Sequence, residues 1–165
     1  VADAVAKAAD AGIVAVANYN SPIQTVISGE TAAVERASQI ASEMGAKRVV
    51  PLNVSGGFHS PLMQSAADSL LEALKSAKME APQVSIVANY TADFETSPAE
   101  VRDNLAKQIT GSVRWVESIT RIVDAGAEAF VELGSGNVLA GLIKRIAPEA
   151  EMVSIGDKAG FDAIV

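Results

Sequence analysis

The sequence contains no cysteine, which excludes a disulfide framework, a thiolate nucleophile and a metal held by cysteine ligands. Histidine is almost as scarce, because His59 is the only one in 165 residues. A zinc site normally needs three or four nitrogen or sulfur ligands, so we predict neither a metal nor a cofactor. The absence of cysteine also fits a reducing compartment.

Excess positive charge and long apolar runs are missing as well. Lysine and arginine number 13 against 20 aspartates and glutamates, for a formal net charge of −7. Nucleic-acid binding requires a basic face, so no nucleic-acid partner is expected. No uninterrupted apolar segment approaches the ~20 residues that span a bilayer, and no signal-peptide pattern is present. We therefore expect a cytoplasmic protein without a membrane partner.

Aromatic residues make up only 4% of a chain that is 49% hydrophobic, so aliphatic side chains must fill its core. Residues 1–54 follow the order helix, hairpin, helix, strand, which is most of a split βαβ arrangement. The predicted segments are an alanine-rich helix at 1–10, strands at 13–17 and 24–28 joined by a turn at 18–24, a helix at 31–44 and a strand at 47–54. The opening helix pattern has neither a cap nor an initiator methionine, so we expect the chain to begin inside a longer protein.

Beyond residue 54, helices and strands alternate, which indicates a largely parallel sheet in an α/β fold. Ser97 and Glu100 have the spacing of a capping box and predict the start of one helix. The predicted segments are helices at 61–79, from 97, at 113–125 and from the 134–136 loop to 146, strands at 84–88, 129–133 and 152–155, and a polar loop at 91–96.

His59 lies between a Gly-Gly pair and a predicted helix start, where Ser60 suits the N-cap and Pro61 the first helical position. A free imidazole titrates near pH ~6.5, so its neutral form can accept a proton at physiological pH. This placement suits a catalytic base. A hydrogen-bonded structural histidine is the alternative, and the pattern alone leaves it open.

Four segments carry a more specific signal because they occur in a characteristic order. They are Asn18–Gly29, Gly57–Met63, the pair Gln108 and Val113–Trp115, and Glu132–Leu139. In this order they resemble the motifs of the malonyl-CoA:acyl carrier protein transacylases and of the related acyltransferase domains of fatty acid and polyketide synthases. Together they span almost the whole chain.

The resemblance implies an α/β fold in two parts. Residues 1–54 would form an incomplete ferredoxin-like small subdomain whose first strand lies upstream of Val1. Residues 55–165 would form the carboxyl-terminal part of a large α/β acyltransferase subdomain, which is an α/β-hydrolase-like parallel-sheet domain.

The resemblance also implies transfer of a malonyl group from malonyl-CoA to acyl carrier protein through a serine acyl-enzyme, with His59 as general base. In this family the serine lies on a Gly-x-Ser-x-Gly elbow, and a downstream arginine binds the malonyl carboxylate. No Gly-x-Ser-x-Gly occurs in this sequence. We therefore expect a carboxyl-terminal half that is inactive alone and whose partners are malonyl-CoA, acyl carrier protein and the missing amino-terminal half of the enzyme.

Four further site residues follow from the resemblance, and each has a structural alternative. Gln108 matches a glutamine whose backbone orients the histidine, although it could be an ordinary amide at a helix end. Asn18 and Asn20 match asparagines near the cleft, although a hairpin turn uses the same residues. Phe58 matches a bulky residue of malonyl-selective members, although it could belong to the core.

Two other functions remain open. The chain could come from an acyltransferase domain of a polyketide synthase, or it could be a non-catalytic ferredoxin-like ligand-binding module. The Gly134–Gly136 loop could also suggest a dinucleotide site, but Leu139 stands where a third glycine would be needed, so we interpret the loop as a tight turn.

Overall fold

A computed structural model describes residues 1–162, which form helices and short strands in a mixed α/β arrangement. Residues 163–165 of the predicted second subdomain lie outside the described residues. The helices are α1 (Ala2–Lys7), α2 (Thr31–Glu43), α3 (Gln64–Ser76), α4 (Pro98–Gln108), α5 (Trp115–Asp124), α6 (Val138–Ile146) and α7 (Lys158–Asp162). The strands are β1 (Val14–Ser21), β2 (Gln24–Gly29), β3 (Ile86–Val87), β4 (Phe94–Glu95), β5 (Ala129–Leu133) and β6 (Glu151–Ile155).

The amino-terminal unit consists of an antiparallel β1–β2 hairpin with α1 and α2 packed against it. Its core contains Ala4, Ala8, Ala37 and Ile40. Alanine at these contacts lets the two helices approach closely without a large side chain between them. The helix predicted at 31–44 is confirmed as α2. The predicted hairpin is also confirmed, because β1 and β2 pair in antiparallel orientation.

The hairpin turn is shorter than predicted. Ser21 pairs directly with Gln24, so the turn contains only Pro22 and Ile23, and β1 continues through Asn18 and Asn20. Register shifts between Val16 and Asn18 and between Tyr19 and Ser21 let the strand bulge without ending. The polar residues that predicted a long turn therefore lie within a bulged strand.

The prediction of a strand at 47–54 is wrong. Among residues 1–162 this segment has no strand partner, and its apolar side chains Val49, Val50, Leu52 and Val54 are exposed. An apolar β-branched run favours extended backbone, but a strand exists only where a neighbour completes its hydrogen bonds. The segment is therefore irregular chain that leads toward His59.

The middle of the chain differs from the prediction in two ways. First, α3 begins at Gln64, after a 3-10 turn at Pro61–Met63, and ends at Ser76. Second, β3 pairs with β4 in an antiparallel ladder, although the β4 residues were predicted to be part of a polar loop. The capping box is confirmed: the Glu100 amide donates to Ser97 Oγ at 3.2 Å, and the Ser97 amide donates to the Glu100 carboxylate at 3.0 Å.

At the carboxyl-terminal end, β5 and β6 form a parallel pair connected through α6. Their register runs from Ala129 opposite Glu151 to Leu133 opposite Ile155. The prediction of a largely parallel sheet beyond residue 54 holds only for this pair among the described residues, because β3 and β4 form a separate antiparallel ladder. Helix α5 begins at Trp115, two residues later than predicted, because Val113 forms a bridge to Asn18 of β1. The sequence pattern did not predict α7.

Within residues 1–162, none of the helices has both the length and the apolar character needed to cross a bilayer.

Candidate active site

His59 lies in a constrained loop between the irregular segment at 47–54 and the 3-10 turn. Its φ of 57° is in the left-handed region, which residues other than glycine seldom adopt and which often marks a functional site. The following residue, Ser60, is fully buried; its Oγ donates to the Gly57 carbonyl at 2.6 Å and accepts from the Leu62 amide at 3.3 Å. Ser60 is thus the N-cap and Pro61 the first residue of the turn, as predicted.

The imidazole ring of His59 is half-buried and has a defined hydrogen bond. Its Nδ1 lies 3.0 Å from the backbone carbonyl oxygen of Gln108. A carbonyl oxygen only accepts, so this bond requires the proton on Nδ1 and leaves the lone pair on Nε2. The ring is therefore in the tautomer that can accept a proton at Nε2.

Gln108 can hold this ring because it is the last residue of α4. The final carbonyls of a helix have no intrahelical donor and carry partial negative charge, so the Gln108 carbonyl is free to accept from His59. The side chain folds back instead of reaching solvent, and its Nε2 donates to the Gly111 carbonyl at 2.8 Å. The same Nε2 lies 3.5 Å from His59 Nδ1. Within residues 1–162, the buried Oε1 has no hydrogen-bond partner.

Asn18 and Asn20 are half-buried on β1, which is joined to the chain that follows Gln108. The Tyr19 amide donates to the Val113 carbonyl at 2.9 Å, and the Val113 amide donates to the Ala17 carbonyl at 2.8 Å. The structure therefore connects the strand that carries the asparagines to the α4–α5 connection beside Gln108. Among the described residues, neither asparagine side chain hydrogen-bonds to His59.

Phe58 is not a core residue, because 48% of it is exposed. Its ring lies beside Gly56, where an added Cβ would be 3.4 Å from the ring. The structure thus places Phe58 on the surface next to His59 and removes the alternative in which it packs inside the core.

Glu132 has a clear structural role that the sequence pattern did not assign. Its Oε1 accepts from the Leu139 amide at 3.0 Å, and its Oε2 accepts from the Ala140 amide at 3.0 Å and from Ser154 Oγ at 3.1 Å. Burial acts to raise the pKa of this carboxyl, but the amide and hydroxyl donors outweigh it and hold the pKa below its ordinary value. The sequence did contain a signal for this role, because an acidic residue within an apolar strand comes shortly before a Gly-x-Gly loop and a helix.

The 134–136 loop is a turn in which Gly134 and Gly136 have φ angles of 134° and 90°. These values favour glycine, which supports the interpretation of the loop as a sharp change of chain direction. Over the 162 residues that the structure describes, no group of three histidine, aspartate or glutamate side chains could hold a metal ion.

One protein family matches almost the whole of this chain. The family described as the acyl transferase domain matches residues 2–156, and the chain belongs to this family.

More particularly, its relatives transfer malonyl groups. The malonyl CoA-acyl carrier protein transacylase of Bacillus subtilis is 40% identical over 148 residues, which is 90% of this chain and 47% of that protein. The crystal structure of an acyl carrier protein S-malonyltransferase from Vibrio cholerae is 41% identical, with a TM-score of 0.95 over 99% of this chain and 54% of that one. The chain thus spans about half the length of the relatives that it matches.

A third relative was solved with a carrier protein. It is a malonyl-transacylase in complex with a type II polyketide synthase acyl-carrier protein, 38% identical, with a TM-score of 0.94 over 98% of this chain and 52% of that one.

Proposed function

We propose that this chain is the histidine-bearing half of a malonyl-CoA:acyl carrier protein transacylase. One observation carries the proposal: the bond from His59 Nδ1 to the Gln108 carbonyl leaves the Nε2 lone pair free. In the proposed division, residues 1–54 are an incomplete ferredoxin-like subdomain. Residues 55–165 then contribute to an α/β-hydrolase-like sheet that is completed by the rest of the enzyme.

The reaction needs a serine that this sequence does not contain in the required frame. As that serine Oγ attacks the thioester carbonyl of malonyl-CoA, His59 Nε2 takes its proton. The tetrahedral intermediate then expels the thiolate of coenzyme A, which receives the proton from His59. In the second half-reaction, the carrier thiol gives its proton to His59 and attacks the acyl-serine. Collapse releases the serine Oγ, which recovers the proton.

Gln108 takes the place that an aspartate occupies in an ordinary triad. Its neutral carbonyl fixes the ring orientation and tautomer, as the aspartate does, but supplies no negative charge to stabilise the imidazolium. Gln108 is therefore a positioning residue, and its backbone performs that role.

We propose substrate contacts for three residues of the predicted site. Phe58, exposed beside His59, would contact the malonyl chain and leave no space for an α-methyl branch. Asn18 and Asn20, on the strand joined to the α4–α5 connection, would line the cleft. The partial burial of both asparagines supports this assignment.

The missing amino-terminal half is the first partner that we propose. Glu132 caps α6, so its strand neighbours Val131 and Leu133 point to the opposite face of the β5–β6 sheet. These two side chains are 56% and 73% exposed. Parallel sheets are normally covered on both faces, so this apolar face suits a covering layer from the other half. Without that half and its serine, the chain would not turn over.

The type II polyketide relative supports a second candidate, in which the same malonyl transfer serves a polyketide carrier protein. Comparing transfer to fatty acid and polyketide carrier proteins separates these two. The family match argues against the remaining alternative, a non-catalytic binding module, because it covers residues 2–156.

Complementation tests the proposal. The amino-terminal half of the Bacillus subtilis relative is mixed with this chain, and malonyl transfer from malonyl-CoA to holo acyl carrier protein is measured. We expect transfer with the native chain and a loss of about 10²–10⁴-fold with His59→Ala. Gln64→Ala, an exposed change nearby, serves as the matched control and should retain transfer. Transfer that survives His59→Ala would remove His59 from the mechanism.

A further inference from the structure

Gly111, in the connection between α4 and α5, has no space for a side chain. A Cβ there would lie 2.5 Å from Tyr90 Cε2, 2.6 Å from Tyr90 Cδ2 and 3.0 Å from the Lys107 carbonyl oxygen. The φ of Gly111 is not in the left-handed region, so its backbone does not require glycine. The requirement comes from the Tyr90 ring, which packs directly against the Gly111 Cα.

Arg114 holds the backbone on both sides of Tyr90. The Arg114 amide donates to the Asn89 carbonyl, and its Nη1 donates to the Thr91 carbonyl, each at 2.9 Å. Arg114 is itself ion-paired with Glu117. The turn that carries Tyr90 is thus fixed to the segment just after Gly111, so a side chain at position 111 would have to displace the Tyr90 ring or shift this backbone.

Gly111 is linked to His59 through Gln108. The Gly111 carbonyl accepts from Gln108 Nε2 at 2.8 Å, and the Gln108 carbonyl accepts from His59 Nδ1 at 3.0 Å. Because Gln108 Nε2 is only 3.5 Å from Nδ1, it is a competing donor to that nitrogen. If the amide donated to Nδ1, the ring proton would move to Nε2, which is the tautomer that cannot act as a base there.

We propose that Gly111 and Tyr90 form a positioning contact that keeps His59 in its Nδ1–H tautomer. The ring holds the Gly111 carbonyl where it accepts one of the two Gln108 Nε2 protons. This anchor keeps Nε2 3.5 Å from His59 Nδ1, which is longer than an ordinary hydrogen bond, so the second proton is not donated to the ring. The contact adds a positioning role to the proposed function. Its effect on the tautomer is independent of that function, whereas its effect on catalysis rests on it.

His59 is the only histidine, so its ring nitrogens can be observed without assignment ambiguity. The complete chain, labelled with ¹⁵N-histidine, is measured at alkaline pH by long-range ¹H–¹⁵N correlation, which identifies the protonated nitrogen. The native chain should be Nδ1–H. In Gly111→Ala, the ratio of Nε2–H to Nδ1–H should rise about fivefold, the effect of losing one ordinary hydrogen bond.

The matched control is Gly141→Ala in α6, where an added Cβ meets nothing within 4 Å. It should leave the tautomer ratio unchanged. The double variant Gly111→Ala/Gln108→Ala keeps the Gln108 backbone carbonyl but removes the competing amide. It should therefore return the ring to Nδ1–H.

A folded Gly111→Ala chain with the native tautomer ratio would overturn the proposal. If that variant does not fold, Tyr90→Ala replaces it, because loss of the ring frees Gly111 and should raise the ratio in the same direction. An unchanged ratio in Tyr90→Ala would overturn the proposal equally. The measurement needs no nucleophile or substrate, so a failure of malonyl transfer is distinguishable from a failure of this contact.

Discussion

The amino-terminal and carboxyl-terminal units differ in how completely their apolar side chains are buried. In the amino-terminal unit, α1 and α2 close around the hairpin, and Ala37 and Ile40 are 0% and 6% exposed. In the carboxyl-terminal unit, from β5 to β6, the described helix α6 covers one face of a parallel strand pair, and Leu133 on the other face is 73% exposed. The first unit buries its helix contacts in a closed core, whereas the second leaves an open apolar face.

This difference in burial follows from the residue types of the two units and from the way their strands pair. Alanine-rich helices pack closely on one face of an antiparallel hairpin, and such a hairpin tolerates solvent on its other face. The parallel strands β5 and β6 have apolar side chains on both faces, with Phe130 and Met152 on one and Val131, Leu133 and Val153 on the other. Among residues 1–162, α7 contacts the open face at its Ile155 end, where Ile155 Cγ2 lies 3.5 Å from the Cβ position of Gly160.

The largest expected effect is a difference between two side-chain substitutions in the free energy of unfolding that each one removes. Ile40→Ala removes a buried side chain from the amino-terminal core and should lower the free energy of unfolding by about 2–5 kcal/mol. Leu133→Ala removes an exposed side chain and should change it by no more than about 0.5 kcal/mol. Urea denaturation of both variants measures the difference. Equal losses would contradict the division into a closed and an open unit.

The next effect concerns association. Leu133→Asp places a carboxylate on the open face of the sheet, where the amino-terminal half is proposed to bind. Leaving such a group unpaired in an interface should weaken binding between the halves roughly tenfold to a hundredfold. Titration calorimetry measures this affinity, and Ile23→Asp in the exposed hairpin turn is the control. Unchanged affinity in Leu133→Asp would show that the other half does not cover this face.

The smallest effect concerns the Glu132 contact to α6. Because the pKa of Glu132 is lowered in the folded chain, its ionised form contributes stability above the ordinary pKa of 4.5, and this contribution is lost as pH falls through the folded value. Glu132→Gln should therefore be less stable than the native chain at neutral pH, and the difference should shrink on acidification. Thermal melting across this pH range measures it.

Other carboxyls do not obscure this result. The pKa values of Asp93, Glu100 and Glu117 are also lowered, so native and variant chains share that part of the acid dependence. A stability difference between native and Glu132→Gln that stays constant with pH would contradict the role assigned to the ionised carboxylate.

Local signals predicted part of this structure well. Helical periodicity located α2, the Ser97–Glu100 spacing identified a capping box, and Ser60–Pro61 marked the turn after His59. Each of these features depends on residues close together in the sequence. Patterns of this kind are sufficient where a few neighbouring residues determine the local backbone.

Features that depend on distant partners were not predictable. The apolar run at 47–54 has the composition of a strand, but it lacks the neighbour that would make it one. The Tyr90 ring against Gly111 and the Glu132 carboxylate at α6 each join segments that only the fold brings together. For the candidate site, the resemblance suggested His59 and Gln108, whereas the tautomer followed only from the 3.0 Å contact between them.

The most direct test of His59 is the rate at which the serine in the amino-terminal half becomes malonylated. That half is mixed with malonyl-CoA in the presence of the native chain or of His59→Ala, and the covalent adduct is followed by rapid quenching and intact mass measurement. We predict adduct formation that is at least about a hundredfold faster with the native chain. Equal rates with the two chains would contradict the claim that His59 is the base.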